Sequence, residues 1–193
     1  MIDIALTFIS DYLNREINTR LGRGENVESI KLKGISKESN PENAILLSLI
    51  HIEEDLTFKN QEFLRRPNPD ANQFQKVNPE IRMNLNLLAT AFFKEKNYAE
   101  GLKQLSYLIA ILQGKTHFEK SELTNVAAPL HKIIIEHYPI SFEQNNALWQ
   151  TMGLSIFPSV IYKVRIVEIF DNKSSDSVPE IRTIGLGFQS IDS

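Results

Sequence analysis

The sequence predicts an α+β fold, a mainly antiparallel β-sheet covered by about three helices. Three observations lead there. Apolar residues recur at helical spacing in three segments, apolar residues alternate at period two in five others, and Gly, Pro and capping residues punctuate the joins between them.

The first helix begins near residue 2, where Ile2, Ala5, Leu6, Ile9, Leu13 and Ile17 form one stripe and Asp11, Asn14, Arg15 and Thr19 face away. Gly22 and Gly24 end it. Val27 to Ile35 reads as a short strand, and Ala44 to Phe58 as a longer one. In the latter, Ile45, Leu47 and Leu49 alternate with Leu46, Ser48, Ile50 and Ile52, so both faces are apolar and a central place is expected. Gln61 to Glu80 carries Pro67, Pro69 and Pro79 among Asn68, Asp70, Asn72 and Asn78, a composition that predicts an excursion without regular structure. A strand resumes at Ile81, with Met83, Leu85, Leu87, Ala89 and Ala91 on one side and Asn84, Asn86, Leu88 and Thr90 on the other.

The second helix is expected to be capped by Asn97 with Glu100, to bury Leu102, Leu105, Ile109 and Leu112, and to stop at Gly114. His131 to Ile140 reads as a strand. Ser141 with Gln144 forms a capping box for the third helix, whose apolar side carries Phe142, Leu148, Trp149 and Met152 before Gly153 stops it. After Pro158 a long strand places Val160, Tyr162, Val164 and Ile166 opposite Ile161, Lys163, Arg165 and Val167. Asp171 to Val178 is polar and reads as a linker to a last apolar segment, Ile181 to Phe188.

With 193 residues, 42% hydrophobic and 23% charged, the chain has the composition of a globular protein able to bury a core. The formal net charge of -3 argues against a nucleic-acid partner, which calls for clustered Lys and Arg. With no cysteine there is no disulfide, thiolate metal site or cysteine nucleophile. The N-terminus has neither the basic start nor the cleavage site of a signal peptide, and no apolar run reaches membrane-spanning length, so assembly in the cytoplasm without membrane insertion is expected. The sequon at Asn172-Lys173-Ser174 reads as a chance match in that setting.

The opening MIDIALTFISDYLNREI, the run Met83-Asn84-Leu85-Asn86-Leu87, Asn97-Tyr98-Ala99-Glu100-Gly101-Leu102, Leu112-Gln113-Gly114-Lys115 and LWQTMGLSIFPSVIYKVRIVE from Leu148 follow one another in a characteristic order. That order resembles the N-terminal domain of the cap, or tail terminator, proteins of extracellular contractile injection systems, which are phage-tail-like particles. The resemblance spans most of residues 1–170, giving a cap domain over 1–170 and a linker with a C-terminal extension over 171–193. It implies a tail-terminator-like fold and a structural, non-enzymatic role without a cofactor. The expected partners are further copies of the chain in a homohexameric ring, the inner tube protein and the sheath protein, in a particle that is either released or anchored. Gly101 departs from the alanine of the family helix.

The family's first long strand ends in an acidic run matched here by His51, Ile52, Glu53, Glu54 and Asp55. Alternation places Glu53 and Asp55 on one face, which suits either contact with a neighbouring subunit or, with His51, a metal or acid-base pair. Other histidines lack metal-ligand spacing, and no GxSxG elbow, HExxH or phosphate loop occurs; Gly22-Arg23-Gly24 and Gly185-Leu186-Gly187 lack the flanking residues of phosphate cradles. Glu53, Glu54, Asp55, Arg65, Arg66, Ile184, Leu186 and Phe188 are therefore the expected interface residues, the last three as a strand able to add to a sheet edge. The alternative function is an adaptor or cargo-loading chaperone of the same particle.

Overall fold

The computed structural model describes residues 2–24, 27–36, 42–55, 63–65, 73–77, 81–123, 130, 132–169 and 175–179, with backbone only for 63–65, 73–77, 81, 167–169 and 175–179. The chain divides into two compact units, Met1–Phe58 with Ile81–Ile169, and Lys59–Glu80 with Phe170–Ser193.

In the first unit, α1 (Ile2–Leu21) buries Ala5, Leu6, Ile9, Leu13 and Ile17, the stripe its spacing predicts. Asn14 does not face away as expected. Strand β1 (Ile30–Leu32) is an edge strand running parallel to β2 (Ala44–Glu54), and because the Ile45 amide donates to the Ser29 carbonyl, the backbone groups of Ile30 point outward. Asn14 meets them there: its Nδ2 donates to the Ile30 carbonyl and its Oδ1 accepts from the Ile30 amide, both at 2.8 Å. One helix turn later, Asn18 Nδ2 donates to the Val27 carbonyl at 2.6 Å, and Ser29 Oγ donates to Asn18 Oδ1 at 2.7 Å. Two carboxamides at helical spacing thus close the sheet edge that would otherwise invite pairing.

Strands β5 (Ile81–Phe92), β6 (His117–Glu119), β7 (Lys132–His137) and β8 (Ser159–Ile169) complete a six-stranded sheet in the order β1-β2-β5-β8-β7-β6, antiparallel except for β1 with β2. Strand β2 has partners on both sides, in keeping with its two apolar faces, and β6 is an edge strand too short to be read from its sequence. One face of the sheet, with Ile45, Leu47, Leu85, Ile133, Val164 and Ile166, packs against α1 and α2 (Tyr98–Gly114) in the main core. The other face, through Leu88 and Ile161, receives Trp149 of α3 (Phe142–Met152) in a smaller core.

Asn97 does not cap α2 through its side chain. A turn of 3-10 helix, Glu95–Asn97, leads into α2 instead, and Asn97 Nδ2 donates to Asn43 Oδ1 at 3.1 Å, tying the start of α2 to the start of β2. Gly101 follows from packing: a Cβ there would lie 2.8 Å from Cδ2 of the Phe93 ring, so glycine lets α2 approach the end of β5. The capping box of α3 forms as read, Ser141 Oγ accepting from the Gln144 amide and Gln144 Oε1 from the Ser141 amide, and Gly153 closes the helix with φ 65°. Trp149 is fully buried, whereas Phe142, expected on the same apolar side, is 71% exposed.

The second unit overturns the expectation of an irregular excursion and a linker. Its described residues form a three-stranded antiparallel sheet in the order β3-β4-β9, from β3 (Phe63–Arg65), β4 (Gln73–Val77) and β9 (Ser175–Pro179). Arg65 pairs with Gln75, which in turn pairs with Ser177, so polar residues a hundred positions apart share one ladder. None of the three strands announces itself, because each is short and is held only by pairing with another.

Candidate interaction surfaces

The acidic end of β2 is aimed by a bulge. Pairing with β5 runs in simple register from Ala44↔Phe92 to Leu49↔Leu87 and then slips, so that His51 opposes Asn86 and Glu53 opposes Asn84. Uninterrupted alternation would put His51 and Glu53 on the face of Ile45 and Leu47, under the helices. The extra residue at Ile50 transfers them to the opposite face, as bulges commonly re-aim side chains.

That face beyond the reach of α3 is polar. Glu53 Oε1 accepts from Lys163 Nζ at 2.7 Å across β5, Arg165 Nη2 donates to Glu136 Oε2, and Lys132 lies 2.8 Å from Glu119. The Lys163 ammonium holds the Glu53 carboxyl below the ordinary carboxylate range, with His51 adding a smaller effect in the same direction. Asp55 joins Arg82, Asn84 and Arg165 around a hollow of about 170 Å³, and its amide donates to the Arg82 carbonyl at 2.9 Å. The structure therefore brings His51, Glu53 and Asp55 to one face. Glu54, exposed, opposes Met83 and points the other way.

Such a surface can form charged, register-specific contacts. Among the described residues no group of three or more His, Asp or Glu side chains is placed to hold a metal ion. Glu53 is engaged by an ammonium, which leaves it a weak proton acceptor, so the acid-base reading draws no support from this geometry. Arg65 lies in β3, described through its backbone, while Arg66, Ile184, Leu186 and Phe188 lie outside the described residues. No described helix is long and apolar enough to cross a membrane.

A second surface escaped sequence reasoning. At the end of β7 two hollows share His137: one of about 390 Å³ lined by Tyr138, Ile140, Phe142 and Val160, another of about 430 Å³ lined by Ile109, Leu112, Ile135 and Tyr162. The only signal for it was Phe142 at the first position of its helix, where an apolar side chain has no core to enter.

The Pvc16 N-terminal domain matches residues 5–183, running past residue 170 and including β9. Among solved structures, the fold is similar to the sheath/tube terminator of an extracellular contractile injection system, PVC, in its extended state. The TM-score is 0.62 at 16% identity, covering 94% of this chain and 63% of that one. It is also similar to the anti-feeding prophage cap, the AFP tube terminating cap, with a TM-score of 0.59 at 13% identity, covering 93% of this chain and 60% of that one. The chain thus spans about three fifths of the length of these two proteins. No curated protein sequence matches it. The α+β fold is that of tail terminators, and by a match that takes in nearly all its elements the chain belongs to the Pvc16 N-terminal domain family.

Proposed function

We propose that the protein is a structural cap, not an enzyme, that terminates the inner tube and contractile sheath at the distal end of a contractile injection system as a hexameric ring. The observation that carries this reading is the family match over residues 5–183 on a fold shared with sheath and tube terminators. A rotational ring is built from head-to-tail contacts, so each subunit needs two different complementary patches. The polar face with Glu53 and Asp55 and the hollows at the end of β7 are two such patches. Glu54 and the segment with Arg65 and Arg66 extend the contacts to tube, sheath or neighbour. The particle is assembled in the cytoplasm and belongs to the contractile injection class.

Light scattering of the purified chain with and without tube protein tests the reading. A sixfold increase in mass on tube ends supports it; a stable one-to-one complex with a cargo protein and no ring supports the adaptor reading instead.

A further inference from the structure

Four strands contribute one row of side chains to the polar face. Glu53 opposes Asn84, Asn84 opposes Arg165, and Arg165 opposes Ile134. Asn84 and Arg165 are therefore direct cross-strand neighbours, whose Cβ atoms stand about 5 Å apart by strand geometry. Asn84 is only 6% exposed.

The charges around this row are matched. Arg165 Nη2 donates to Glu136 Oε2, and Lys163 Nζ donates to Glu53 Oε1. Lys163 holds the Glu53 carboxyl down most, and a hydrogen bond from the Asn84 carboxamide adds to the effect. An ionised carboxyl only accepts, so the Asn84 group turned toward it is Nδ2–H, which leaves Oδ1 for another partner. Among the described residues Asn84 Oδ1 has none, and neither has Arg165 Nε, and both atoms are buried. One is an acceptor and the other a donor. Their residues line the hollow of about 170 Å³ together with Asp55 and Arg82. A cavity of about 150 Å³ is large enough to take benzene, so the hollow has room for one planar group on a short stem.

A buried donor and a buried acceptor left unpaired are costly, and the group that relieves both is defined by their pairing. A carboxylate suits Arg165 Nε but sets its oxygens against Asn84 Oδ1 and its charge against Asp55. An ammonium suits Asn84 Oδ1 but meets the guanidinium groups of Arg82 and Arg165. An apolar group leaves both atoms unpaired. A primary carboxamide carries an acceptor and a donor side by side in one plane. We propose that the hollow is a receptor for the carboxamide of a Gln or Asn side chain on an adjoining subunit, an inference that takes its neighbour from the ring reading above. The entering carbonyl accepts from Arg165 Nε and the entering amide donates to Asn84 Oδ1, each brought to the ligand by a small rotation of its side chain. Because the surrounding ion pairs are matched, the ligand is selected by the direction of its hydrogen bonds, which rejects look-alikes that lack them.

The test is a titration of the 15N-labelled full chain, followed by NMR, with three acetylated N-methylamide tripeptides at millimolar concentration: Gly-Gln-Gly, Gly-Glu-Gly and Gly-Met-Gly. The Arg165 Nε–H resonance is assigned by its loss in Arg165→Lys, a change that keeps the positive charge beside Glu136 and removes the Nε donor. The expected result is a saturable shift of that resonance and of the Asn84 side-chain amide with the Gln peptide, and a response at least tenfold smaller with the Glu and Met peptides. In Arg165→Lys the Asn84 response to the Gln peptide should be lost while thermal unfolding is unaltered. Equal responses to the three peptides, a preference for Glu or Met, no response to Gln, or an undiminished Asn84 response in Arg165→Lys overturn the inference. The titration needs no ring, so imaging of particles separates the two proposals: a selective Gln response with uncapped particles refutes the capping role alone, and normal capping without a Gln response refutes the receptor alone.

Discussion

At the residue scale, three positions make sharp predictions. Trp149 is enclosed by Leu88 and Ile161 and stacks near Phe157, with ring centroids 5.8 Å apart. Trp149→Ala is expected to cost about 3 to 5 kcal/mol by emptying that core, seen as a lowered denaturant midpoint; an unchanged midpoint contradicts the packing. Gly101→Ala gains about 1 kcal/mol of helix propensity and forces the Phe93 ring aside. Overpacking of this kind costs about 1 to 3 kcal/mol, so net destabilisation is expected, and a raised melting temperature would show that α2 can retreat. Glu42 accepts hydrogen bonds from Lys33 and Lys31, which hold its carboxyl down at about 2. Its folded value lies below the unfolded one, so its contribution is present above the ordinary carboxylate range and is lost as pH falls toward 2. Glu42→Gln should lower stability at neutral pH and lose that deficit as pH falls through the acid window, and a deficit that persists undiminished at a pH of about 2 would contradict the linkage.

At the scale of elements, what was legible was whatever a single segment decides by itself. The stripe of α1, the capping box of α3 and the alternation of β5 and β8 need no partner to be recognised, because burial imposes period 3.6 or period two locally. The elements that escaped depend on distant chain. Strand β6 is three residues beside β7, and β4 is polar and becomes a strand only between β3 and β9. The bulge at the end of β2 likewise has no composition of its own, yet it decides which face Glu53 occupies. Asn14 looks like a solvent-facing residue until the edge of β1 is placed against it. For the second sheet, hydrogen exchange should show the amides of β4, flanked on both sides, better protected than those of β3, which has one partner. Equal and full exchange in both strands would contradict the pairing. The same ladder sets the limits of a useful truncation: Pro179 pairs with Gln73, so a tail deletion that spares the sheet begins at residue 180.

At the scale of the whole molecule, the two surfaces differ in kind, and the difference suits assembly. The face of Glu53, Lys163, Arg165 and Glu136 pairs its own charges, and charged faces of this kind give a contact register more than affinity. The end of β7 carries hollows of another kind, lined by Ile109, Leu112, Ile135 and Tyr162 on one side and by Tyr138, Ile140 and Phe142 on the other. Among the described residues neither gathers the nucleophile, base and oxyanion donors of a catalytic centre. The family was legible mainly through the order of the sequence segments that resemble cap proteins, while the two surfaces became visible only with the bulge in β2 and the hollows at the end of β7.

The central claim is tested most directly by cryo-electron microscopy of intact particles made with and without this chain. The account predicts a sixfold ring at the distal end, with the six-stranded sheet fitting its density, and sheaths of uniform length that become irregular when the chain is absent. Particles with unaltered length and no density for the chain at the distal end would contradict it.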